Sequence, residues 1–266
     1  MQSGACVTGL NSFAPGSSKT EMEPLQEAFE ERLREIDAYL ELLEIIERQV
    51  QSGPPRITRD DTRITAEQQK ILYSSVYVQL YSLVEATITR CVEAVCAAAS
   101  AGEGWKPGDL SERIRAEWVR FVARTHEDLT HENRLGSALK MFDALVNAAP
   151  VSDFKIERGG GNWDDGQIEG ISRRLGLELR ISDTVRVGVK RHIRDDKGAL
   201  ALIRHLRNSL AHGSISFVEC GDGATVGDLR NLKEATTAYL REVVASFAAS
   251  IAGHEYLLPE KRPVLA

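Results

Sequence analysis

Long uncharged apolar runs are missing from this sequence of 266 residues, and nothing in it approaches the roughly 20 apolar residues that a membrane span requires. The opening segment, with Ser17-Ser18-Lys19 and several glycines, also lacks the apolar core of a secretory signal. A soluble, cytoplasmic protein that does not meet a membrane is therefore expected. Aromatic residues are scarce at 6%, whereas Leu, Ala, Glu and Arg are plentiful, which favours helix over sheet. The four cysteines (Cys6, Cys91, Cys96, Cys220) follow no zinc-ligand spacing and suggest no disulfide framework. Cys91 and Cys96 read instead as small apolar residues of a buried helix. No metal and no cofactor is expected.

A net charge of -6 argues against a general nucleic-acid coat protein. The charge is unevenly spread, however. From Glu21 to Arg48 there are ten acids against three bases. From Arg186 to Arg207 there are seven bases against Asp195 and Asp196. Such a basic stretch on an acidic protein suits either one phosphate-bearing ligand at one place or a solvated helix face.

Residues 1–20 carry no periodicity and are expected to be a disordered N-terminal segment. The spacing then predicts a helix over 21–51, with Phe29, Leu33, Ile36, Leu40 and Leu43 forming one apolar seam on an acidic rod. Gly53-Pro54-Pro55 ends it. The most apolar helix is expected over 65–99, where apolar residues cover more than one face and should be central. Tyr73, Tyr77, Tyr81 and Glu85 follow one another on it at four-residue steps, a stripe that suits either a monomer core or a chain-to-chain contact. Further helices are expected over 110–125 and 131–148, with Trp105 folded back onto the body. His126-Glu127-Asp128-Leu129-Thr130-His131 straddles a helix break, which does not favour a metal site. Gly159-Gly160-Gly161 has no Lys-Ser/Thr after it and reads as a loop, with Asp164-Asp165 opening a helix that Gly176 stops. A short extended piece, 177–181, follows. Two last helices are expected over 197–212 and 228–251, giving one domain over 21–255 and a C-terminal tail over 256–266.

The penultimate helix ends in Arg204-His205-Leu206-Arg207-Asn208-Ser209-Leu210-Ala211-His212-Gly213. Gly213 suits the left-handed position just past a helix, and His212 then lies in the last turn, where a cation is favoured. Histidine is the side chain that can take a proton in one step and return it in the next. Asn208 lies four residues before His212 and could orient its ring; His205 lies seven before it on the same side. Arg207 is five residues from His212, about 140° around an ideal helix, so the two converge only if two copies of the helix meet. An arginine fork and a nearby imidazole would then suffice to cleave RNA without metal, with the substrate's 2′-hydroxyl as nucleophile. On spacing alone, a helix that merely ends in histidine accounts for the segment as well.

Arg207-Asn208-Ser209-Leu210-Ala211-His212-Gly213 resembles the Arg-Asn-x-x-x-His signature of HEPN proteins. Leu83-Val84-Glu85, the unit from Gly161-Asn162 to Leu175-Gly176, and the long helix after the signature resemble the MAE-type branch of that superfamily. The likeness covers roughly residues 25–255. It implies an all-α, HEPN-like helical bundle with additional helices and at most a short extended segment. It also implies a homodimer whose two signatures face each other, acting as a metal-independent endoribonuclease in a toxin or antiviral-defence role. Carried over by residue, Arg207 would grip phosphate, Asn208 would organise the site and His212 would be the acid and base, with Glu85, Arg204 and His205 in support. RNA and an antitoxin or other regulatory protein are the partners implied. The alternative is a non-catalytic module that binds a nucleotide or a protein.

Overall fold

Short polar side chains mark where most helices start. The computed structural model describes residues 17–50, 53–57, 62–100, 104–125, 127–152, 154–157 and 161–263, with the backbone alone for 17–25, 57 and 62. Among them the order is α1 (Ser17–Val50), β1 (Arg56–Ile57), β2 (Thr62–Arg63), α2 (Ala66–Ser100), α3 (Glu112–Ala123), α4 (His131–Val146), α5 (Asp165–Leu175), α6 (Asp183–Lys190), α7 (Ala199–Ala211), α8 (Phe217–Cys220), α9 (Val226–Ala252) and a 3-10 turn, Pro259–Lys261. Ser111, Thr130, Asp164, Ser182, Ser216 and Thr225 each accept a hydrogen bond from a backbone N–H in the first turn of the helix that follows. Thr65 and Gln68 exchange such bonds at the head of α2. At the other end of α5, Gly176 takes φ +75, as its place past the last apolar residue predicted.

The all-α expectation holds, and α2 lies at the centre, packed against α1, α7, α8 and α9. The seam of α1 is buried throughout, Leu40 and Leu43 completely, against α2 and α9. Its acidic flank faces α9, where Glu30 meets Arg241 (2.9 Å), Asp37 meets Lys233 (2.8 Å) and Glu44 meets Arg230. Such solvent-screened surface pairs contribute little to stability. Each fully buried leucine contributes about 1.5–3 kcal/mol, so the seam holds α1 down and the charges fix its register. The phenol stripe is in the monomer core: Tyr73, Tyr77 and Tyr81 are all buried.

Several boundaries differ from expectation. α1 begins at Ser17, ahead of Glu21; residues 1–16, and with them most of the segment expected to be disordered, lie outside the described residues. His126, Gly159 and Gly160 lie outside them too. No group of three or more potential metal ligands occurs among the described residues. α6 and α8 were not foreseen. Val185, Val187 and Val189 alternate as in a strand, but the Ser182 cap and the burial of Val189 alone make that segment a helix. The piece 177–181 joins no strand among the described residues; Arg180 N–H donates to Ser246 Oγ (2.9 Å). α7 starts two residues later than predicted, because Arg194 and Lys197 close a tight turn with Asp195 and Asp196 at φ +52 and +54. The stretch expected to be a tail from residue 256 is not free. Tyr256 and Leu257 are buried, and Leu257 bridges to Leu110.

Candidate functional site

The buried side of α7 (Ala199, Leu200, Leu202, Ile203, Leu206) seats it in the core and so aims its polar side at α2 and at the loop before α5. Three polar residues of α7 find partners there. Arg207 stacks its guanidinium over the Tyr81 ring, 4.1 Å from the centroid. One nitrogen of that fork lies 3.5 Å from Glu85 Oε2, and the other donates to Asn208 Oδ1 at 2.9 Å. Asn208 Nδ2 in turn donates to Asn162 Oδ1 at 2.8 Å. Arg204 pairs with Asp164, whose other carboxylate oxygen caps α5 by accepting from Gln167 N–H at 2.8 Å. Tyr81 closes the cluster: its hydroxyl accepts from Trp163 N–H (3.3 Å), and burial pushes its phenol pKa up.

The structure thus brings Glu85, Arg204, Arg207 and Asn208 together with Tyr81, Asn162 and Asp164. Asn162 and Asp164 were legible only as the entry to a helix. No local pattern links them to their α7 partners, 40 and 46 residues on. Gly161 sits at φ +68 with Glu85 Oε1 only 2.8 Å from where a Cβ would stand, so the loop approaches Glu85 as closely as a backbone can.

His212 and His205 stay outside this cluster. His212 is the C-cap of α7, with Gly213 at φ +68 just after it, as predicted. Both rings are exposed, and neither has a hydrogen-bonding partner among the described residues. The expectation that the Asn208 amide orients the His212 ring is corrected: that amide is occupied by Arg207 and Asn162. The basic stretch, which suited either a phosphate-bearing ligand or a solvated helix face, meets acids at most positions. Of the bases between 186 and 207, Arg186 meets Glu169, Lys190 meets Asp165, Arg204 meets Asp164 and Arg207 meets Glu85. Arg194 lies over the Tyr77 ring and donates to the Cys220 carbonyl. Most of the charge run is therefore paired with acids at the surface, Arg186 and Lys190 remaining exposed.

One chain therefore presents a held arginine on one side of α7 and an unrestrained imidazole on another. An all-helical bundle that carries Arg-Asn-x-x-x-His at the end of a core helix defines the class. The chain belongs to the HEPN_MAE_28990-like HEPN family, which it matches over residues 22–256. No curated protein and no solved structure gives a match.

Proposed function

We propose that this HEPN domain is a metal-independent endoribonuclease, with its active site assembled from the signatures of two chains. The observation that carries the reading is the separation within one chain: Arg207 is fixed by Glu85, Asn208 and Tyr81, while His212 is exposed on a different side of the same helix. A second α7, facing the first, supplies what each chain lacks. Arg207 then binds the scissile phosphate through its fork, in competition with Glu85. His212 of one chain takes the proton of the 2′-hydroxyl as its oxygen bonds to phosphorus. His212 of the other protonates the departing 5′-oxygen. The products are a 2′,3′-cyclic phosphate and a 5′-hydroxyl end, so every proton and bond is accounted for without a metal. Asn208, Arg204 and Glu85 position Arg207, and His205 lies beside the RNA path. Toxin or defence activity, with an antitoxin-like regulator as partner, is the cellular role that goes with this chemistry.

The test is cleavage of total RNA or tRNA in EDTA by wild type and by His212→Ala. Wild type should yield cyclic-phosphate ends, and the variant should lose at least ~100-fold in rate with an unchanged melting temperature. Equal activity, or equal inertness, would end the catalytic reading. The occupation of Arg207 by Glu85 and Asn208 favours a second reading, a module that binds RNA or a nucleotide without cutting it. In that case binding persists while no product appears.

A further inference from the structure

Glu117 on α3 is 2% exposed, a depth at which carboxylates are rare unless paired. It is held twice. Arg174, near the end of α5, donates to both of its oxygens (2.8 and 2.5 Å), and Arg120, one turn further along α3, donates to Oε1. One arginine is enough to neutralise a buried carboxylate, so the second brings an excess charge. These bonds occupy two donors of Arg174 and one of Arg120, which leaves most of both forks free. A third cation, Lys155, is exposed on the segment 154–157 and has no hydrogen-bond or ion-pair partner among the described residues. All three line one cavity of about 370 Å³, together with Glu117, Phe121 and Glu157. That is the lower end of the range of small-ligand clefts, roughly 300–1,000 Å³. Glu157 offsets part of the charge of Arg174, yet three cations against two carboxylates leave the concave surface positive. Phe121, one turn from Glu117, supplies an apolar wall: it is 37% exposed, and its ring leans on buried Phe154 with the centroids 6.5 Å apart.

We propose that this cavity binds a small phosphomonoester that carries a flat aromatic body. The cations reach it from three separate elements, α3, α5 and the segment 154–157. Donors so placed suit the several oxygens of a tetrahedral phosphate better than a planar carboxylate, which one fork satisfies. Glu117 fixes both guanidiniums before the ligand arrives, so little side-chain freedom is lost on binding. The aromatic body lies on Phe121. Helix α5 separates this cavity from the signature: Asp164 at its head pairs with Arg204, and Arg174 stands about 15 Å further along the axis. The cavity uses no residue of the signature cluster, so this reading and the RNA-cleavage reading stand or fall separately.

Titration of the full chain with phenyl phosphate, inorganic phosphate and benzoate, followed by ligand-detected NMR and by melting temperature, provides the test. Phenyl phosphate should bind and raise the melting temperature, with inorganic phosphate weaker by about 3- to 10-fold and benzoate weaker still. Arg120→Gln/Lys155→Gln should weaken phenyl phosphate at least ~10-fold. Phe121→Ala should erase the advantage of phenyl phosphate over inorganic phosphate and leave the latter's binding unchanged. Lys155→Gln alone breaks no contact among the described residues, so its own several-fold loss carries the test if Arg120→Gln lowers stability. Arg207→Ala should leave the binding intact. The proposal is overturned if no phosphate probe binds up to ~10 mM, or if benzoate binds as tightly as phenyl phosphate. It also falls if binding survives the double variant, or if Arg207→Ala abolishes it and the double variant does not.

Discussion

Arg207 has three neighbours that a lysine could not satisfy together. Its planar fork reaches Glu85 with one nitrogen and Asn208 with another while its face lies on Tyr81. Arg207→Lys keeps the charge but loses the fork and the stacking. Under the proposed mechanism we expect at least ~10-fold slower RNA cleavage, and a stability loss of about 1 kcal/mol because the pair is partly exposed. Cleavage rates and urea melts of the same preparation separate the two effects. A stability loss with full activity would show that Arg207 only holds α7 to α2. Cys91 makes a contrasting case at the same scale. Its thiol is buried and pushed up to about 12, so it is an apolar core residue with no reactive role.

Among the elements, the loop that enters α5 is the one that site geometry depends on most. It carries Asn162 and Asp164 to α7, and Gly161 lets it pass beside Glu85. Gly161→Ala combines a left-handed φ of +68 with a Cβ 2.8 Å from Glu85 Oε1. It should cost about 1–2 kcal/mol and push Glu85 off Arg207. A lower urea midpoint together with altered cleavage checks this; an unchanged midpoint would show that the loop relaxes freely. The helices divide similarly between what periodicity announces and what it hides. The α1 seam and the α2 core were read directly from apolar spacing. α6 was not, because its alternating valines imitate a strand and its cap decides the matter.

At the scale of the whole molecule, charge has two measurable consequences. Most bases near the signature are already paired and the net charge is -6. Under the proposed function, RNA binding should thus depend only weakly on salt, with a log–log slope no steeper than about -2, since each single-strand phosphate contributes ~0.7. A filter-binding or anisotropy titration from low to high salt measures it, and a steep slope would reveal a basic path elsewhere. The second consequence concerns acid. Glu44 beside Arg230, Asp109 at the Lys106 N–H, Glu219 in its capping box and Asp222 beside Lys70 all titrate below the ordinary carboxylate range. Their folded pKa values are lowered, so their stabilisation is complete above the unfolded values and is lost as pH falls through the folded ones. The urea midpoint should be flat from pH 7 to about 5 and decline below about 4. A decline that begins at neutral pH would implicate histidines instead.

The local pattern alone determined the helical class, the seam of α1, the central place of α2, the stop at Gly176 and the left-handed Gly213. Each of these follows from side-chain spacing or from a single residue's backbone preference. Family membership was legible in the seven residues from Arg207 to Gly213. Tertiary structure decided the rest. It put Asn162, and not His212, against Asn208; it paired the basic stretch with acids of α2, α5 and the loop before α5; and it tied Leu257 to Leu110. Those outcomes depend on which helix faces meet across forty to more than a hundred residues of chain, and the sequence pattern within any one helix does not carry that information.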